Sequence, residues 1–113
     1  MITVKFSRDD ETISLKMIGH ALCGKSGNDL VCASASTLAY TIAQYVLMMT
    51  KDNMLLETPT INMEEGLAHI ECKPKATYFN EAEHAFLVVE IGFCLLQENY
   101  PQAVDVTPFD TAK

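Results

Sequence analysis

Apolar and polar residues alternate over positions 2–6 (Ile-Thr-Val-Lys-Phe) and again over 13–19, with the polar stretch Arg8-Asp9-Asp10-Glu11 between them. A period of two puts one set of side chains on one face, so these runs predict an antiparallel hairpin. Residues 21–28 include Gly24, Lys25, Ser26 and Gly27 and read as a loop. Asp29 is then an expected N-cap, and Val31, Ala35, Leu38, Ile42, Val46 and Met49 recur at helical spacing until Lys51-Asp52-Asn53 ends the pattern. Two strand-like runs follow at 55–63 and 67–72, joined by Glu64-Glu65-Gly66, and Pro59 makes the first irregular or an edge strand. A second helix is expected from Asn80, with Glu83 completing a capping box and Phe86, Val89, Phe93 and Leu96 on one face, until Tyr100-Pro101. Residues 103–106 predict a last short strand, and 107–113 a flexible tail.

The order β-β-α-β-β-α-β fits a small single α+β domain over residues 1–113, with two helices on one face of a mostly antiparallel sheet. Leu87, Ile91 and Cys94 form another apolar stripe on the second helix, more than a helix with one wet side requires. Two readings stay open: this face is buried in a homodimer, or a long loop covers it.

The chain has 113 residues, 15 acidic against 8 basic, and a formal net charge of -7. Such a surface repels phosphate, which disfavours direct nucleic-acid binding and suits a neutral or basic partner, although net charge does not locate the surface concerned. The start lacks a charged segment followed by a long apolar run, and the apolar stretch 85–96 contains Glu90 and Gly92 and is too short to span a bilayer. The expectation is a cytoplasmic protein with no membrane partner. Cys23, Cys32, Cys72 and Cys94 include no C-x-x-C pair, so thiols are expected rather than a disulfide framework, and neither metal nor cofactor is implied.

Residues 19–26, Gly-His-Ala-Leu-Cys-Gly-Lys-Ser, match the letters of a phosphate-binding loop, G-x-x-x-x-G-K-S. The context argues against it. Gly27-Asn28-Asp29 delays the expected helix and brings negative charge, and the preceding strand belongs to a hairpin rather than a parallel β-α-β unit. A second reading takes His20 at the end of the hairpin and Cys32 at the third position of the first helix, where unpaired N–H groups would stabilise a thiolate. The loop is long enough to bring imidazole beside sulfur, and the same amides would hold an oxyanion during acyl transfer. Asp29, besides capping, would orient His20 or fix the loop. A lone cysteine is more often a small core hydrophobe, and a lone histidine a hydrogen-bonded structural group. These residues alone therefore do not decide between catalysis and packing.

Gly19-His20-Ala21, followed by Gly27-Asn28-Asp29-Leu30-Val31-Cys32-Ala33 and Ser36, resembles the ribosomal-processing cysteine protease family of bacteria called Prp. Its pattern is G-H-A, a short loop, G-x-D-[IL]-V-C-A, and a serine one helical turn later. The second helix, Asn99-Tyr100-Pro101 and the final strand extend the resemblance over nearly the whole chain. It implies that Cys32 is the nucleophile and His20 the general base, with Asp29 and Ser36 supporting and Gly19 and Gly27 flanking a mobile loop. It also implies a homodimer that removes the N-terminal extension of large-subunit ribosomal protein twenty-seven. Cys23-Gly24 and Ala33-Ser34-Ala35-Ser36 depart from the commoner family residues.

Other readings accompany this one. Cys23 on the loop is either a resolving thiol for Cys32 or of no consequence. His69 and His84 have no cysteine partner in sequence and read as structural or surface groups. A non-catalytic ribosome-associated factor and a small nucleotide-binding module using residues 19–26 are the alternatives to an enzyme.

Overall fold

A computed structural model describes residues 1–19 and 26–109, with side chains from residue 30 onward in the second segment. Its elements run β1 (Ile2–Arg8), β2 (Ile13–Gly19), α1 (Ser26–Lys51), β3 (Thr60–Glu64), β4 (Leu67–Cys72), a single 3-10 turn (Ala76–Tyr78), α2 (Phe79–Asn99) and β5 (Val104–Thr107). The order is the expected one. The strands form one sheet in the spatial order β3-β4-β2-β1-β5. All neighbours are antiparallel except β5, which lies parallel to β1.

Alternation in β1 has the predicted result: Ile2, Val4 and Phe6 are buried, while Thr3, Lys5 and Ser7 face water. Ile13 and Leu15 of β2 and Ala68, Ile70 and Cys72 of β4 continue the inner face. Both helices cover that face. From α1 come Val31, Ala35, Ile42, Val46 and Met49, and from α2 Ala82, Phe86, Val89, Phe93 and Leu96. Ala35, Ala39 and Ala43 keep the inner side of α1 narrow, so the helix lies close to its neighbours. Gly92 does the same for α2, because a Cβ there would sit 2.7 Å from Leu38 Cδ2. Leu30–Lys51 is long and apolar enough to cross a membrane by length and composition, but its inner stripe is part of this core.

Several boundaries differ from expectation for identifiable reasons. Helix α1 begins at Ser26, so Asp29 is its fourth residue rather than its N-cap. Gly27 and Asn28 are weak helix formers, but a first turn lacks i−4 partners for its N–H groups and tolerates them. Helix α2 begins at Phe79, and its N-cap, Tyr78, makes no side-chain capping bond. The 3-10 turn already winds the chain, with Tyr78 N–H donating to the Lys75 carbonyl at 2.8 Å, so the Asn80–Glu83 capping box does not form. Glu83 instead accepts from Arg8 Nη1 at 2.7 Å. Strand β3 starts only after Pro59, and Leu55 makes an isolated bridge to Pro74.

The expected tail also needs correction. Thr107 closes β5, and Phe109 is buried against the Phe6 ring, 5.3 Å between centroids, with the Arg8 guanidinium 5.0 Å from its own centroid. Phe109 N–H donates to Glu90 Oε2 at 2.6 Å. Residues 110–113 lie outside the described part. On the outer side of α2, Leu87 and Cys94 are half-buried, and the exposed apolar row is Val88, Ile91 and Leu95.

Candidate active site

Cys32 is the seventh residue of α1, not the third. Its own N–H therefore belongs to the helical ladder, and the unpaired amides lie one turn earlier. The Cα–Cβ bond of a helical residue leans toward the amino end, so the thiol still points back to that turn. The unpaired amides therefore lie farther along the chain from Cys32 than the later helix start implied.

Cys32 is partly buried and packs against the edge of the core. It shares one side of α1 with Ser36 and Tyr40, four and eight residues on, and all three line a cavity of about 380 Å³. The opposite wall is the end of the β3–β4 hairpin, Met63 to Ala68. Met17 and Gly19 at the end of β2 complete it beside Ile2.

Gly19 is held firmly at this edge. Its φ of +102° is a left-handed conformation that L side chains rarely adopt, and an added Cβ would press into the Met1 carbonyl oxygen. Its N–H donates to the Gly66 carbonyl at 2.9 Å, tying the end of β2 to the hairpin corner. Gly66, with φ of +79°, follows Glu65 in the two-residue connection between β3 and β4. Gly19, the residue that precedes His20 in the chain, therefore borders the cavity that contains Cys32.

Of the sequence-predicted site residues, Cys32, Ser36 and Gly19 come together here. Gly27 and Asp29 are described only as backbone in the first turn of α1. His20, Cys23, Gly24 and Lys25 lie outside the described residues, and with them the His20–Cys32 distance and the Cys23–Cys32 pairing. His69 Nε2 lies 3.6 Å from Glu71 Oε1 on β4, and His84 is exposed on α2; neither lines the cavity.

The other described thiols are poor nucleophiles. Burial, with a smaller contribution from Glu71, pushes the Cys72 thiol up to about 12, and burial followed by Glu90 raises Cys94. Among the described residues, no three His, Cys, Asp or Glu side chains converge as metal ligands would. The phosphate-loop reading gains one point, since α1 starts directly at Ser26 as such a loop requires. It loses on topology, because β2 is antiparallel to both β1 and β4.

Sequence reasoning missed Tyr40 and the hairpin corner. Tyr40 was detectable as the next step of the Cys32–Ser36 row. Glu64-Glu65-Gly66 was legible only as a turn, because its approach to α1 depends on how β4 pairs with β2.

The family model described as Cysteine protease Prp matches residues 1–105. Ribosomal processing cysteine protease Prp from Staphylococcus aureus strain Mu50 is 27% identical over 106 residues, covering 92% of this chain and 95% of that protein. The crystal structure of an essential ribosomal processing protease Prp from S. aureus with a substrate peptide superposes with a TM-score of 0.69 at 24% identity, covering 96% of this chain and 99% of that one. The S. aureus protease with a covalently linked product peptide gives 0.68 at 24% identity over the same shares. The same fold and a match that spans nearly the whole sequence place this chain in the cysteine protease Prp family.

Proposed function

We propose that this chain is a Cys–His endopeptidase that removes the N-terminal extension of a bacterial large-subunit ribosomal protein, number twenty-seven, during ribosome assembly. The observation that carries the reading is the position of Cys32 in a cavity bordered by Gly19, the residue that precedes His20 in the chain. Cys32 Sγ attacks the scissile carbonyl carbon, and its proton goes to the His20 imidazole. Collapse of the tetrahedral intermediate breaks the C–N bond while the imidazolium protonates the leaving amine. Water then hydrolyses the thioester and restores the thiol. Ser36 offers a hydroxyl to the bound peptide, and Asp29 supports His20 or the loop.

The reaction needs no cofactor or metal. A ribosomal precursor as substrate supports a cytoplasmic location, and the exposed row Val88, Ile91 and Leu95 supports a homodimer, since an apolar stripe of this kind is commonly covered by a partner. The deciding experiment incubates purified precursor under reducing conditions with wild type, Cys32→Ser and His20→Ala. Cleavage by wild type alone is expected. An intact precursor after incubation with wild type would remove the assigned substrate, and cleavage by Cys32→Ser would remove the nucleophile. Light scattering of wild type and Val88→Lys tests the dimer; a wild-type monomer at micromolar concentration would exclude it.

A further inference from the structure

We infer that the hairpin corner Glu64-Glu65 is the specificity-determining lip of the Cys32 cavity and selects peptides that carry lysine or arginine beside an apolar residue; this rests on the proposed peptidase reading. The net charge of -7 favours a basic partner, and the structure supplies a location for that preference. Among the described residues lining the cavity, the charged ones are Glu64 and Glu65, both exposed at its mouth. The walls behind them are mainly apolar, with Met17, Tyr40, Met63 and Leu67. A peptide entering beside Cys32 therefore meets an apolar surface that ends in two carboxylates.

The corner is built to hold position. Strand β4 is paired on both sides, by β3 and by β2, and the Gly66 carbonyl accepts the Gly19 N–H. Among the described residues neither glutamate has a cationic partner, unlike Glu83 with Arg8. Their field is therefore available to an incoming cation. A lysine or arginine there exchanges its solvent for two carboxylates without breaking an existing ion pair, whereas an acidic residue meets like charge.

The test separates recognition from chemistry. Dye-labelled short peptides of Leu, Ala and Ser, carrying an adjacent pair of lysines, glutamines or glutamates, are titrated onto full-length Cys32→Ser protein by fluorescence anisotropy. The lysine peptide should bind about three- to tenfold more tightly than the glutamine peptide, the range expected for two exposed ion pairs. The preference should shrink as salt shortens the screening length. Glu64→Gln/Glu65→Gln should abolish it with no change in the affinity for the glutamine peptide, and Glu64→Lys/Glu65→Lys should invert it toward the glutamate peptide. Equal binding of all three peptides to Cys32→Ser, or a loss in the Gln variant equal for every peptide, would overturn the proposal. The same peptide preference in kcat/KM for precursor variants supports the lip in catalysis. A protein that retains the binding preference and cleaves nothing leaves the lip intact and refutes the peptidase reading instead.

Discussion

Replacement of Gly19 by alanine tests the anchoring of the site more directly than any change at Cys32. The native φ of +102° costs an L residue about 1–2 kcal/mol. The new Cβ also has to displace the Met1 carbonyl oxygen. That backbone has little room to retreat, because Ile2 is buried and its N–H donates to the Ala103 carbonyl at 2.8 Å. Loss of that bond adds about 1 kcal/mol. The sum, about 2–3 kcal/mol, is a large part of the roughly 5–15 kcal/mol by which a domain is stable. It should lower the thermal midpoint by roughly 10 °C. The chain has no tryptophan, so circular dichroism is the suitable probe, combined with urea titration. Most of the variant remains folded at 25 °C, yet under the proposed Cys–His mechanism precursor cleavage should fall by more than the unfolded fraction explains, because Gly19 directly precedes the proposed base. A midpoint within about 2 °C of wild type would refute both the strain and the close approach to Met1.

Phe109→Ala should destabilise the protein by about 3–4 kcal/mol in urea melts, since it empties a site between Phe6 and Arg8. A change below about 1 kcal/mol would return this residue to a dispensable tail. Iodoacetamide at neutral pH should modify Cys32 and leave Cys72 unreacted until the protein unfolds, as read by peptide mass analysis; early labelling of Cys72 would contradict its burial. Cys72 also predicts a pH effect. Its folded value is raised from 9.0 to about 12, so its contribution to stability is fully present below 9 and is lost as pH rises through that window. Urea midpoints should fall over that range less steeply in Cys72→Ala than in wild type; equal slopes would show that this thiol does not drive the fall.

The architecture was legible because its signals are local and mutually consistent. Alternation in β1 and β2, the Val31–Met49 stripe and the Phe86–Leu96 stripe each bury one face, and one sheet with two helices satisfies them all. The misplaced boundaries arise where tertiary contacts override a local motif. Glu83 has the spacing of a capping-box residue, but Arg8 from β1 takes its carboxylate. Phe109 follows a proline near the chain end and reads as tail, yet the gap between Phe6 and Arg8 accepts its ring. The site was half legible: Cys32, Ser36 and Gly19 carry a motif, whereas the opposing wall exists only because β3 pairs with β4 and β4 with β2.

The depth of Cys32 in α1 changes where its activation must come from. At a third helical position, unpaired amides and the helix dipole would favour a thiolate even without a base. At the seventh position the sulfur lies a full turn farther in, and the dipole's influence falls off within the first turn. Under the proposed Cys–His mechanism, the imidazole of His20 then carries most of the activation. Alkylation of Cys32 at neutral pH should accordingly drop in His20→Ala to the rate of an ordinary exposed cysteine, while Asp29→Asn, which alters charge within the first turn, changes it much less. If alkylation instead stays fast in His20→Ala and slows in Asp29→Asn, the helix terminus and its surroundings activate the sulfur, and the imidazole serves only to protonate the leaving amine.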